Sequence, residues 1–205
     1  MGFFVSRASA SGAAKSDAAA AVIRYAFDYA RRHGRKKVLM ADKSNAMTYA
    51  GGLWQRVFRE VAKDFADMAT QHMFVDALCL AMVREPRQFQ VIVTNNMFGD
   101  ILTDLAAALQ GGLGMAASGN IHPGRTSMFE PVHGSAPPLA GKNVANPLGA
   151  IQSAAMMLAH LRLEQHAARI DNAVLRAVRA RQLTPDVGGS MGTSEVGDWV
   201  ANRVS

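Results

Sequence analysis

The sequence lacks the features of disulfide-bonded, membrane-spanning and secreted proteins. It has a single cysteine, Cys79, among 205 residues, which excludes an internal disulfide and agrees with a reducing compartment. No apolar run approaches the roughly 20 residues needed to cross a bilayer. The first residues lack the basic and long apolar regions of a signal peptide. We therefore expect a cytoplasmic protein that does not associate with membranes.

Acidic residues are fewer than basic residues in this sequence. Lysine and arginine number 22 against 16 acidic residues, a net charge of +6, and such an excess invites a nucleic-acid interpretation. The one dense basic cluster, residues 31–37, falls where a helix ends and a strand begins, and cations there complement the negative end of the helix dipole. The later arginines are not interleaved with base-stacking aromatic residues. We expect no nucleic-acid binding.

Helical and strand patterns alternate along most of the chain. Ser16 begins an alanine-rich helical pattern, and Gly34 stands where a C-terminal cap belongs. The predicted strands are 37–41, one near 73–75, and 89–94. The further predicted helices are one that passes through 54–61, one over about 77–83, one through 100–104, two over about 148–163 and 166–181, and a short C-terminal one. Residues 110–146 are rich in glycine and proline and predict loops with short strands. This alternation predicts an α/β protein with a partly parallel sheet flanked by helices.

Acidic and basic residues follow the predicted strands. Asp100 and Asp104 lie four residues apart on one helix, so their carboxylates share a face and can bind one divalent cation. Lys43 and Asp76 each follow another strand, and ligands of α/β proteins gather at the carboxyl ends of strands. Taken singly, these residues also fit bland roles: a helix-start aspartate, an N-cap and a surface lysine.

Three segments in order carry a resemblance to a known family. They are residues 42–45, residues 75–76 with 96–104, and residues 129–137 continuing to 141–147. Together they resemble the isocitrate/isopropylmalate dehydrogenases, which are metal-dependent hydroxyacid dehydrogenases. The stretches 125–131 and 184–186 resemble the branch that contains tartrate dehydrogenase and D-malate dehydrogenase.

The resemblance implies a partial isopropylmalate-dehydrogenase-like α/β fold, made of the C-terminal portion of the family's fold. Residues 16–90 would belong to the small, dimerisation domain, and 91–205 to the C-terminal part of the large, cofactor-binding domain. Residues 1–15 stay unmatched. Family members form homodimers whose active sites are shared across the two subunits.

The resemblance also implies an activity, the NAD-linked oxidation of a 2-hydroxy dicarboxylic acid, with decarboxylation in many members. A Mg²⁺ or Mn²⁺ ion would be bound by Asp100 and Asp104, and by Asp76 of the other subunit. Lys43, also donated across the dimer, would act in proton transfer, with Asn45 near the nicotinamide.

A loop resembles the family's adenosine- and phosphate-binding segment. Glu130 would lie near the nicotinamide end, and the residues implied around the rest of the cofactor are His133, Gly134, Ser135, Ala136, Pro137 and Asn146. Pro138 stands where NAD-using members tend to carry an aspartate, although NAD remains the cofactor that the branch implies.

Family members are considerably longer at their N-terminal side. In them that part supplies the arginines that grip the substrate carboxylates, together with a catalytic tyrosine. An alternative hypothesis is therefore a catalytically incompetent remnant that retains only metal binding or dimerisation.

Overall fold

A computed structural model describes residues 4–6 and 15–204 of the chain. The described residues divide into two compact units, and the boundary lies between residues 106 and 107, near the end of a helix. The predicted domains, 16–90 and 91–205, are those of the whole family fold, and this division stays a prediction. Most of the predicted segment 1–15 lies outside the described residues.

The first unit is a parallel sheet with helices on both faces. Its strands are β1 (Phe4–Ser6), β2 (Lys37–Asp42), β3 (Ala69–Phe74) and β4 (Val91–Thr94), and its helices are α1 (Lys15–Arg32), α2 (Thr48–Ala62), α3 (Val75–Arg84) and α4 (Asn96–Leu109). The strand order is β1-β4-β2-β3, and all the pairings are parallel. The predicted α/β class is confirmed.

Successive side chains of the central strand β2 point to opposite faces of the sheet and belong to two different hydrophobic cores. Val38 and Met40 of β2 face α1 and α2, whereas Leu39 and Ala41 face α3 and α4. All four side chains are buried, as expected for strands covered on both faces. Gly34, with φ at +63°, ends α1 as predicted, because glycine adopts the left-handed region without a Cβ penalty.

Strand β3 is longer than the sequence predicts, and it begins four residues earlier. Its first residues, Ala69 to His72, are mostly polar and exposed, so they lack the hydropathy pattern of a buried strand. Pairing with β2 in continuous register defines the strand, from Lys37 opposite Ala69 to Asp42 opposite Phe74. Strand β1 was not predicted either; it pairs with β4 at the edge of the sheet.

The second unit is mainly helical. It contains an antiparallel pair, β5 (Ala117–Asn120) and β6 (Met128–Pro131), followed by α5 (Leu148–His160), α6 (Glu164–Arg179) and α7 (Thr193–Ala201). Its core joins Leu148, Val174 and Val196 from the three helices. In the described residues no helix has the length and apolar character needed to span a membrane.

Candidate active site

The turn after β2 presents the predicted catalytic lysine. We call residues 42–47 the lysine turn. The carbonyl of Lys43 accepts hydrogen bonds from the backbone N–H groups of Ala46 and Met47, at 3.0 and 2.7 Å. Asp42 Oδ1 accepts one from the Ser44 N–H at 3.0 Å, so the backbone is fixed on both sides of the lysine.

Lys43 and Asp76 form an ion pair at the carboxyl edge of the sheet. Because Asp42 lies opposite Phe74 in the β2–β3 register, the residues that follow the two strands emerge side by side. Lys43 Nζ lies 2.6 Å from Asp76 Oδ1. The Lys43 ammonium holds the pKa of the Asp76 carboxyl below its ordinary value, mainly through this hydrogen bond.

The other two predicted metal ligands lie on α4. Asp100 and Asp104 are both exposed, and Asn96 Nδ2 donates to Asp100 Oδ2 at 3.3 Å. Exposed carboxylate oxygens one turn apart are the hard donors that Mg²⁺ and Mn²⁺ prefer, so the donor set fits such an ion.

One chain does not assemble the three aspartates. Within residues 4–6 and 15–204, no three histidine, cysteine or acidic side chains come together as a group able to hold a metal ion. Asp76 lies beside Lys43, with its side chain 66% exposed. The structure therefore brings together one predicted pair, Lys43 and Asp76, and leaves the shared metal site as a prediction.

Apolar side chains are exposed on the same two helices. On α3, Leu80 and Val83 are 61% and 57% exposed, and the spacing 76, 80, 83 puts them on the helical face of Asp76. On α4, Met97 and Ile101 are 52% and 54% exposed. Apolar side chains at helical spacing beside a polar site are typical of a protein–protein interface.

In the second unit, the predicted cofactor loop borders a cavity of about 620 Å³, within the usual range for small-molecule sites. Five predicted residues line it: His133, Gly134, Ser135, Ala136 and Asn146. Glu130 and Pro137 are not part of this lining, and Asn45 belongs to the lysine turn of the first unit.

Two of the lining residues have distinctive backbone surroundings. A Cβ built on Gly134 would meet open space, so the loop leaves room for a ligand against its backbone. Ala136 has φ at +44°, a left-handed conformation that is uncommon for residues other than glycine.

Asn146 is already engaged within the chain. Its Nδ2 donates to Asp186 Oδ2 at 3.1 Å, and its Oδ1 accepts from the Leu148 N–H at 3.0 Å. Asp186 also accepts from the Thr184 hydroxyl at 2.5 Å. Asn146 therefore orders the cavity wall and the start of α5, and its predicted contact with adenosine stays a prediction.

The sequence prediction missed the side of the cavity formed by α7. Asn143 Oδ1 accepts hydrogen bonds from the N–H and the hydroxyl of Ser194 at 2.9 and 3.1 Å. The Thr193 hydroxyl donates to the Ala145 carbonyl at 2.6 Å. The only sequence signal for this contact is the glycine at 192, because a Cβ there would collide with the Asn143 amide.

These features define a class of protein. It is an α/β protein with a lysine and carboxylates at the carboxyl edge of a parallel sheet, together with a loop-lined cavity of the size that holds a nucleotide. In such folds the carboxyl ends of the strands are where ligands bind.

Comparison with known proteins narrows this class to one family. The sequence model of the isocitrate/isopropylmalate dehydrogenase family matches residues 6–200. A 3-isopropylmalate dehydrogenase from Archaeoglobus fulgidus is 46% identical over 186 residues, covering 91% of this chain and 57% of the relative. One from Corynebacterium glutamicum is 50% identical over 185 residues, covering 89% and 53%. The crystal structure of isocitrate dehydrogenase from Methylococcus capsulatus superimposes with a TM-score of 0.89 at 43% identity, covering 93% of this chain and 57% of that one.

The chain belongs to the isocitrate/isopropylmalate dehydrogenase family. It spans about half the length of the curated relatives it matches. The fold predicted from the resemblance, a partial isopropylmalate-dehydrogenase-like fold, is confirmed. These relatives are named 3-isopropylmalate dehydrogenase, and the predicted leaning toward the tartrate and D-malate branch stays a prediction.

Proposed function

We propose that this chain forms the metal- and cofactor-binding portion of an NAD-linked dehydrogenase that oxidises a 2-hydroxy dicarboxylic acid. The observation that carries the proposal is the Lys43–Asp76 ion pair, 2.6 Å between Nζ and Oδ1. It lies at the carboxyl edge of the sheet, and the helix face that bears Asp76 continues into the exposed side chains of Leu80 and Val83.

A homodimer would account for the exposure of the Asp76 side chain, which is 66% exposed. Burying Leu80 and Val83 against a second copy would bring the Asp76 end of α3 to the partner's surface. By two-fold symmetry each copy would donate its own lysine–aspartate pair to the other. Asp76 would then complete the metal site that Asp100 and Asp104 begin on the partner's α4.

Each site residue has a defined task in this proposal. Asp100 and Asp104 would hold a Mg²⁺ or Mn²⁺ ion, which would supply Lewis-acid stabilisation of negative charge on the substrate oxygens. Lys43 Nζ exchanges a proton with the substrate. Asp76 holds the lysine in place, and the hydrogen bond from Lys43 keeps the Asp76 pKa below its ordinary value.

The cavity of the second unit would bind the cofactor, which would supply the hydride acceptor. His133, Gly134 and Ser135 would surround its phosphate and adenosine portion. The residues from Asn143 to Asn146 are already ordered by hydrogen bonds to α7 and Asp186, so little conformational entropy would be lost on binding. NAD is the proposed cofactor. At position 138 this chain has a proline in place of the aspartate whose carboxylate favours NAD over NADP.

For the substrate we propose 3-isopropylmalate first, because relatives at 46% and 50% identity are named for it. D-malate and tartrate follow, on the resemblance of residues 125–131 and 184–186. We place the protein in the cytoplasm, in keeping with its single cysteine.

The second candidate is a remnant that binds metal or dimerises without turnover. What favours it is that the chain spans 57% and 53% of these relatives, so a site built from this chain alone lacks whatever the rest of their length contributes. It would retain the Lys43–Asp76 pair and the exposed face of α3.

An assay of the purified 205-residue chain separates the two candidates. NADH formation would be followed with Mn²⁺, NAD and each of the three hydroxyacids. We expect turnover that Asp100→Asn abolishes and that Asp198→Asn, on α7, leaves unchanged. A folded dimer that binds Mn²⁺ without turnover on any substrate would contradict the enzyme proposal and support the remnant.

A further inference from the structure

A buried carboxylate lies directly beside the predicted catalytic lysine. Asp42 is 2% exposed, which is rare for an aspartate without compensating partners. Its Oδ1 accepts from the Ser44 N–H, and its Oδ2 is buried without a hydrogen-bond partner among the described residues. The remaining partner of Oδ1 therefore has a large influence on whether this carboxylate stays in place.

That partner is His72 on the neighbouring strand. His72 Nε2 lies 2.9 Å from Asp42 Oδ1. Gln55 of α2 closes the group, donating to the Ser44 hydroxyl at 2.6 Å and lying 3.4 Å from His72 Nε2. Side chains from β2, β3 and α2 are thus linked around Asp42 and Ser44, the residues on either side of Lys43.

A second contact leads from the same histidine to the lysine. The His72 ring meets the Phe74 ring edge-on, with centroids 5.2 Å apart. Lys43 Nζ lies 5.9 Å from the centroid of that same Phe74 ring, within the range of a cation–π contact. His72 therefore contacts two residues that position Lys43. Asp42 fixes the backbone next to the lysine through the Ser44 N–H, and Phe74 contacts the lysine ammonium.

We propose that His72 is a positioning residue for Lys43, acting through Asp42 and Phe74 to keep the lysine against Asp76. The catalytic meaning of this role rests on the proposed function, but the positioning itself does not. Losing a hydrogen bond to a buried carboxylate would release the lysine turn, and the ammonium would leave the ion pair.

The test measures how fast Lys43 reacts with an amine-labelling reagent at one fixed pH. The full chain is labelled briefly and the modified peptides are quantified by mass spectrometry. Lys63 and Lys142 are both exposed and serve as internal standards. In the wild type we expect Lys43 to be protected relative to these two.

Three variants distinguish positioning from general destabilisation. His72→Leu removes the ring nitrogen and should raise Lys43 labelling about tenfold, toward the rate of the standards. His72→Gln keeps an N–H donor near the same position and should retain most of the protection. Thr70→Leu, on the same strand, should change neither Lys43 nor the standards.

Each outcome either supports or contradicts the positioning role of His72. Unchanged Lys43 labelling in a folded His72→Leu protein would overturn it, and so would equal increases at all three lysines. If the wild type shows turnover, His72→Leu should also lower kcat more than it raises KM for NAD, and His72→Gln should restore kcat. If the wild type shows none, the proposed function fails while the labelling still decides the role of His72.

Discussion

Gly51 of α2 lies directly against Ser44 of the lysine turn. A Cβ built on it would lie 2.5 Å from both Cα and Cβ of Ser44 and 2.9 Å from the Ser44 nitrogen. Because non-bonded carbons normally lie about 3.5–4.0 Å apart, the turn would have to retreat by about 1 Å. Gly52, the next residue, has nothing within 4 Å of its built Cβ and provides a matched control.

The two alanine variants should differ in stability. Overpacking at Gly51 costs about 1–3 kcal/mol, and alanine in a helix interior returns about 1 kcal/mol relative to glycine. Gly51→Ala should therefore lower the free energy of unfolding by about 0–2 kcal/mol, whereas Gly52→Ala should raise it by about 1 kcal/mol. Urea denaturation at one fixed protein concentration measures both.

The position of the turn should respond together with stability. Gly51→Ala should increase the labelling of Lys43, since the turn that carries the lysine is displaced, and Gly52→Ala should not. Equal denaturation midpoints and equal Lys43 labelling in the two variants would refute the reasoning that Gly51 sets the position of this turn.

Three further predictions concern the cofactor cavity, the dimer and the ion pair. Gly192→Ala should weaken NAD binding about tenfold in a calorimetric titration by displacing Asn143, whereas Gly197→Ala, whose Cβ meets nothing within 4 Å, should bind normally. Leu80→Glu should shift the protein toward monomer in analytical ultracentrifugation, and an unchanged dimer would remove α3 from the interface. The Asp76 pKa lies below its ordinary 3.8 in the folded protein, so its ion pair contributes fully above that value and is lost as pH falls through the lower, folded pKa. The difference in melting temperature between wild type and Asp76→Asn should vanish in acid, and a difference that stays constant down to strong acid would contradict the pairing.

Much of the fold could be predicted because its helices and inner strands carry strong local patterns. Val91 to Val93 are consecutive β-branched residues at a buried strand, and Gly34 marks the end of α1. The polar strand β3 was only partly predicted, since the pairing that defines it depends on β2, which lies distant in the sequence.

The candidate site also depends on contacts between residues distant in the sequence, which local patterns do not predict. Lys43 and Asp76 could be proposed as site residues from motifs, but their contact depends on the register of two strands. His72 carries no motif, and its contact with Asp42 arises because both side chains point to the same face of neighbouring strands. The α7 side of the cavity was missed for the same reason, because Ser194 lies 51 residues along the chain from Asn143.

Mixing two variants tests most directly whether each metal site is built from two copies of the chain. Asp76→Asn and Asp100→Asn would be unfolded together, refolded together and titrated with Mn²⁺ by electron paramagnetic resonance. Each variant alone should bind almost no Mn²⁺ at the site. Random pairing should restore about a quarter of the wild-type sites, because half of the dimers are mixed and one site in each of those is intact. Binding no greater in the mixture than in either variant alone would contradict the shared site.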